Sequence, residues 1–308
     1  MRSEKLYLAP LVRLPLLALI GASAVLAGTI YTFEPPDSTG TIPVAPNTTA
    51  SGWYTPPDNL VPGSVQGKIV PYSAVTGAGF AADPGGGTQV LALYQTPLDA
   101  NGQDTQVTRA QHYFNFQTGQ WTVSFDLSVV NFSGSGDTFG NDYIGGFGVD
   151  GDSFAGLIVD NAWDNATAGS TWDSIFWVYN ANGSLINSNG VEPWSGLLQN
   201  HWYNESVTFN IATNQVVSAS ITDLTTDTTT TASTAGWYMD GGSAGPPGAD
   251  VYLRFGGMGQ TNAELVDNVE LDGSAPEPAT LALLGIGLFA LGALRRRWVT
   301  NAMGAGAD

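Results

Sequence analysis

The 308-residue chain contains no cysteine. Disulfides, thiolate metal sites and cysteine redox chemistry are therefore excluded, and the fold must be held by burial alone. Histidine is almost as scarce: His112 and His201 are the only two, too few for a histidine-rich metal site or a proton relay. Each reads as a sheet or surface residue. Cations are few and lie mostly at the ends. Of the nine Lys and Arg, only Lys68, Arg109 and Arg254 fall between residues 28 and 273, against twenty-four carboxylates, a net charge of −21 for that interval. A nucleic-acid partner is not expected, because binding phosphates needs clustered cations. Such acidity favours solubility and cation uptake, and repels anionic polymers. No Gly-x-Ser-x-Gly elbow, EF-hand spacing or twin-arginine pair occurs, and no segment between residues 65 and 271 sustains a helical period of apolar residues.

What is present starts with the two ends. Arg2, Lys5 and Arg13 form a positive flank before an apolar stretch, Leu14–Leu26, interrupted by Pro15. Small residues follow, so residues 1–27 read as a secretory signal cleaved near Ala24 or Ala27, or as an anchor if left uncleaved. At the other end Pro276, Glu277 and Pro278 precede sixteen uncharged residues, Ala279 to Leu294, then Arg295, Arg296 and Arg297. The prolines stop any element from running on. The apolar run suits lipid, although a full span needs about 20 residues unless Trp298 and snorkelling arginines extend it. The arginines favour the cytoplasmic side. We therefore expect a C-terminal transmembrane helix within a sorting segment, 274–297, followed by a tail, 298–308.

This three-part tail resembles the PEP-CTERM sorting signal of Gram-negative bacteria. The resemblance implies an exosortase-type processing enzyme as partner, membrane attachment before processing, and a destination at the cell surface or in the extracellular matrix. It covers only the last thirty or so residues.

Residues 28–62 are rich in Pro, Thr, Ser and Gly and read as a spacer or loose arm, with Trp53 and Tyr54 docking on the domain. From 63 to 273 the chain reads as short strands punctuated by Gly, Asn, Asp and Thr. The clearest places Trp121, Val123, Phe125, Leu127 and Val129 on one face. The same period recurs in Val207, Phe209 and Ile211 and in Val217, Ala219 and Ile221, a hairpin turning at Thr213-Asn214-Gln215. Another hairpin turns at Asn182-Gly183, between Ile175–Asn180 and Ser184–Asn187. A third turns at Asp150-Gly151-Asp152, between Tyr143–Val149 and Phe154–Asp160. Val251–Phe255 and Leu265–Leu271 read as closing strands, and the Thr-rich run 222–234 as an exposed edge. About a dozen strands without interleaved helices predict an all-β fold, two packed antiparallel sheets. The segments Trp177–Gly183, His201–Phe209 and Val266–Leu271 resemble those of the concanavalin-like or laminin-G-like jelly roll, which implies a sandwich of that kind.

Three groups of residues invite chemistry. Glu264, Asp267 and Glu270 approach the acid run of jelly-roll glycosidases, but on a regular strand Asp267 points away from both glutamates, which is wrong for two carboxylates flanking one bond. They read as solvent-facing acids on an edge. Asp137, Asp142, Asp150 and Asp152, with Asn141, crowd a Gly-rich stretch where calcium, which takes six to eight oxygens, is the candidate cofactor. Trp163, with Asn161 and Asp164, is the candidate glycan contact: an aromatic face stacks on a sugar ring while amide and carboxylate meet its hydroxyls. Trp177, inside Ile175-Phe176-Trp177-Val178, reads as core. The reading is an exported, non-catalytic surface module, structural or polysaccharide-binding, with no catalytic residue assigned. Its alternative is a carbohydrate-active enzyme, hydrolase or lyase, on the same scaffold.

Overall fold

A computed structural model describes residues 26–57, 64–77, 79–94, 107–114, 119–131, 143–151, 154–163, 171–244, 251–257 and 262–274. All lie in one compact unit, Val25–Pro276. In chain order the strands are β1 (Leu26–Tyr31), β2 (Gly40–Thr41), β3 (Ser64–Gln66) and β4 (Lys68–Pro71), then the short helix α1 (Tyr72–Gly77). There follow β5 (Gln89–Tyr94), β6 (Val107–Phe114), β7 (Gln120–Asn131), β8 (Tyr143–Gly151), β9 (Phe154–Trp163) and β10 (Thr171–Trp177). The series ends with β11 (Val191–Leu198), β12 (Trp202–Asn210), β13 (Gln215–Asp223), β14 (Thr228–Thr231), β15 (Val251–Gly257) and β16 (Asn262–Ser274).

These form two sheets. One has nine strands in the order β14-β13-β12-β7-β16-β5-β4-β2, with β1 added to β16; the other has seven, β11-β10-β9-β8-β15-β6-β3. Every pairing of these strands is antiparallel except β3 with β6. The core lies between the sheets, and the alternation read on β7 holds: Val123, Phe125, Leu127 and Val129 are all buried. Phe125 meets Phe147 and Phe255 of the opposite sheet at 4.8 and 4.9 Å, ring centre to ring centre, edge-to-face contacts that add to burial. Phe209 is fully buried on β12. The Thr-rich edge is also as expected, with β14 exposed throughout.

Several expectations need correction. Residues 28–57 are no spacer: β1 pairs with β16, and Phe33, Ile42 and Trp53 insert into the common core. Pro and Gly there shape a loop pinned by single anchors, so no period announces it. In β13 a register break opposite Thr208 and Phe209 turns Val216 inward and leaves Val217 exposed. The hairpin at Asn182-Gly183 is shorter than expected: Val178–Asn180 pairs with Ser184–Ile186, with Gly183 at φ +78°, while β10 before it pairs with β11. Trp177 is not core; Phe176 and Val178 are, and Trp177 is only half-buried on the other face.

The largest departure is β16. It is a central strand, flanked by β5 and β7, and Glu264 and Asp267 are fully buried. They do point to opposite faces, Glu264 into the sandwich and Asp267 outward. A bulge at Asn268, φ +47°, then resets the alternation, so Asp267 and Glu270 share the outer face. Outside the nine-stranded sheet, α1 covers a second apolar cluster with Tyr72, Val75, Val90, Trp202 and Leu265. This cover is why Asp126 and Ser128, on the nominally polar side of β7, are also buried.

Candidate functional site

Cross-strand register aligns one row over the outer face of the seven-stranded sheet. Trp177 on β10 pairs with Ile158 on β9, Ile158 with Gly148 on β8, Gly148 with Arg254 on β15, and Arg254 with Gln111 on β6. Gln111 is bridged in turn to Tyr54. The next row runs Ile175, Asp160, Gly146, Gly256, Arg109, Gln66. Inward neighbours such as Val159, Phe176, Ala110, Leu253 and Phe255 are buried, so alternation turns both rows outward. The three glycines leave the middle of this face without side chains. At Gly146 a Cβ would lie 2.1 Å from the carbonyl oxygen of Val159, so the strand cannot carry a larger residue there.

Polar and aromatic groups flank that low floor. On one side the Trp177 indole N–H donates to Asp160 Oδ2 at 2.6 Å. Burial raises the Asp160 pKa, opposed by this hydrogen bond and by the charge of Arg254. On the other side Gln111 Nε2 donates to the Tyr54 hydroxyl at 3.1 Å, and Tyr113, two residues along β6, is 44 % exposed. Aromatic faces beside amide, carboxylate and guanidinium groups suit the alternating apolar and hydroxylated surfaces of a sugar chain, and the floor between them is closely flanked, with Gly146 and Gly148 themselves buried and Gly256 half-buried.

The residues singled out from sequence are placed elsewhere or lie beyond the description. Asn161 is on the inner face of β9, 2 % exposed, and donates from Nδ2 to Glu264 Oε2 at 2.8 Å. Trp163 closes β9 opposite Trp172, and Asp150 pairs through its backbone with Tyr252; the side chains of both lie outside the described set. So do Asp137, Asp142, Asp152 and Asp164, and the sorting residues Pro276, Glu277, Pro278, Arg295, Arg296 and Arg297. This row is not legible in the sequence because its signal is cross-strand: nothing local joins Tyr54, Gln111, Arg254, Asp160 and Trp177.

Two buried acidic groups stand apart from this face. Inside the sandwich, Glu264 of β16 and Glu205 of β12 are both fully buried. Glu264 fits because Gly145, opposite it, has no side chain; a Cβ there would lie 2.7 Å from its Oε2. Glu264 Oε1, both Glu205 oxygens, Asn161 Oδ1 and the Ser174 hydroxyl have no hydrogen-bond partner among the described residues. Burial lifts the Glu264 pKa to about 8 and the Glu205 pKa well above the usual carboxylate range, the latter helped by repulsion from Glu264.

On the outer face of the nine-stranded sheet, Asp126 and Asp267 are direct cross-strand partners, with Asp83 beside them. Asn268 Nδ2 donates to Asp83 Oδ2 at 2.8 Å and to Asp126 Oδ2 at 2.9 Å, Asn204 Nδ2 to Asp126 Oδ1 at 2.7 Å, and the Tyr72 hydroxyl to Asp267 Oδ2 at 2.7 Å. Burial, then mutual repulsion, raises Asp83 to about 7, and burial above all raises Asp267 to about 7. Among the described residues no group of three or more acidic or histidine side chains is arranged to hold a metal ion. The trio is instead satisfied by amide and phenol donors.

Comparison with known proteins bears on the tail. Residues 274–297 match the PEP-CTERM protein-sorting motif, which marks an exported protein sorted by an exosortase to the cell surface. No curated protein is matched. Among solved structures the chain is similar to a lectin from Bauhinia forficata in complex with GalNAc, at 12% identity and TM-score 0.36, over 78% of this chain and 100% of the lectin. It is similar to alginate lyase Aly36B at 12% identity and TM-score 0.40, over 80% and 97%. Lectin II from Ulex europaeus gives 11% identity and TM-score 0.39, over 76% and 97%.

Proposed function

We propose that the exported domain is a non-catalytic glycan-binding module that takes its ligand on the outer face of the seven-stranded sheet. The observation that carries this reading is the registered row Trp177, Gly148, Arg254, Gln111, Tyr54, with Asp160 beside it. A strand-built platform of this kind holds its contacts rigidly, so little ordering entropy opposes binding. Display of such a platform at the cell surface, where the sorting motif sends the protein, fits retention of extracellular polysaccharide. The test is binding of the purified protein to bacterial exopolysaccharides. Trp177→Ala should weaken capture at least tenfold while the far-ultraviolet circular dichroism stays that of a β protein; unchanged capture would overturn the assignment of the face.

A second reading, hydrolase or lyase on the same scaffold, draws on one observation. Asp173 lies on the same face as Asp160, diagonally across the β9–β10 pair, and burial keeps Asp160 more readily protonated than an ordinary carboxyl. Two carboxyl groups on one face, one of them with a raised pKa, are the kind of pair glycoside hydrolysis uses. Release of reducing ends from a bound polysaccharide, abolished by Asp160→Asn, would favour it; binding without turnover favours the module.

A further inference from the structure

The exported interval is strongly acidic, and its charge alone argues against anionic ligands. The positions of its cations argue otherwise. Of Lys68, Arg109 and Arg254, the two arginines stand on neighbouring strands of the proposed binding face: Arg254 pairs with Gln111, and Arg109 with Gly256. They are diagonal neighbours, with Cα atoms about 7–8 Å apart in an antiparallel ladder. Both are only half-buried. Each borders the side-chain-free strip, Arg254 beside Gly148 and Arg109 beside Gly256. The third cation, Lys68, belongs to the other sheet.

Resting on the glycan reading above, we infer that the ligand is a polyuronate, a polysaccharide whose sugar rings carry carboxylates, read by Arg254 and Arg109 while Trp177 and Tyr54 take the ring faces. The chemistry is specific in kind. A guanidinium offers paired donors that match the two oxygens of a carboxylate, and such charge-assisted pairs are about twice as strong as neutral hydrogen bonds. The surrounding negative charge acts at long range and is screened over about 8 Å at physiological salt. It therefore slows approach more than it weakens contacts made at the guanidinium groups. On the Trp177 side, Asp160 accepts from the indole N–H through Oδ2 and also feels the charge of Arg254, so an incoming carboxylate competes with it for that guanidinium.

The experiment uses the full chain in detergent micelles, immobilised, with three probes: polygalacturonate, the same polymer after chemical reduction of its carboxyl groups, and dextran. Polygalacturonate should bind at least tenfold more tightly than its reduced form. The double variant Arg109→Gln with Arg254→Gln should lose tenfold or more on polygalacturonate and little on the reduced polymer. Arg254→Lys, which keeps the charge but not the paired donors, should lose less than Arg254→Gln, and guards against a variant that merely fails to fold. Equal binding of the acidic and reduced polymers, or indifference of polygalacturonate to the double variant, would overturn the polyuronate inference while leaving glycan binding intact. Capture of none of the probes, or capture that Trp177→Ala does not weaken, would sink the binding face itself.

Discussion

Glu264 makes the stability of this domain depend on pH in an unusual direction. Its carboxyl is fully buried between the sheets, and its pKa stands at about 8 against an ordinary 4.5. The folded state therefore holds a proton that the unfolded state releases. Stability linked to this group is complete below about pH 4.5 and is lost as pH rises toward 8. From those two values the loss is about 3 kcal/mol at pH 7 and under about 1 kcal/mol at pH 5, a sizeable part of the roughly 5–15 kcal/mol that holds a domain folded. Glu205, Asp83 and Asp267 are raised too and act in the same sense. Glu264→Gln removes one titration while keeping an oxygen to accept from Asn161. The assay is urea unfolding of the Val25–Pro276 unit at pH 5, 6, 7 and 8, followed by tryptophan fluorescence. The parent should weaken steadily across that range. The difference between variant and parent should shift in the variant's favour by about 2 kcal/mol between pH 5 and pH 7. A parent whose stability is flat or rises over this window, or a variant that keeps the full parental slope, would refute the reasoning.

Three further outcomes are expected. Phe125→Ala or Phe209→Ala, each emptying a fully buried ring site, should cost about 3–5 kcal/mol in urea unfolding, and a loss under about 1 kcal/mol would contradict the packing described. If the Gly-rich stretch around Asp150 and Asp152 holds calcium, saturating calcium should raise the melting temperature, and Asp150→Ala with Asp152→Ala should abolish that rise; no rise at millimolar calcium would leave these acids as turn formers. Deleting residues 276–308, which contain most of the matched sorting motif, should move the protein from the membrane fraction to the soluble exported one, and unchanged fractionation would count against the sorting role.

The sandwich was legible where burial is one-sided and the strand regular. On β7 the period-two pattern names its inward residues correctly because one wrong step would put Phe125 in water. It was illegible where the structure bends that rule. Phe33, Ile42 and Trp53 are lone anchors in a Pro-rich loop, and a period needs repeats. The bulge at Asn268 moved Glu270 onto the face of Asp267, and single-strand alternation cannot register an inserted residue. The strand pattern itself places one acid inside: Glu205 has the parity of Tyr203, Val207 and Phe209, so the pattern that buries those residues also buries an acid. Asn161 likewise shares the parity of Leu157 and Val159. The proposed binding face needed the register of five strands, β6, β8, β9, β10 and β15, before its residues became neighbours, and only the sheet order supplies that.

Hydroxyl-radical footprinting of the protein, alone and with a polysaccharide it captures, tests the central claim most directly. Bound ligand should shield Trp177, Tyr54 and Tyr113 together, while Val217, an exposed residue on β13 of the other sheet, keeps its free-state reactivity. Protection of Val217 with Trp177, Tyr54 and Tyr113 unchanged would place the ligand elsewhere and contradict the account.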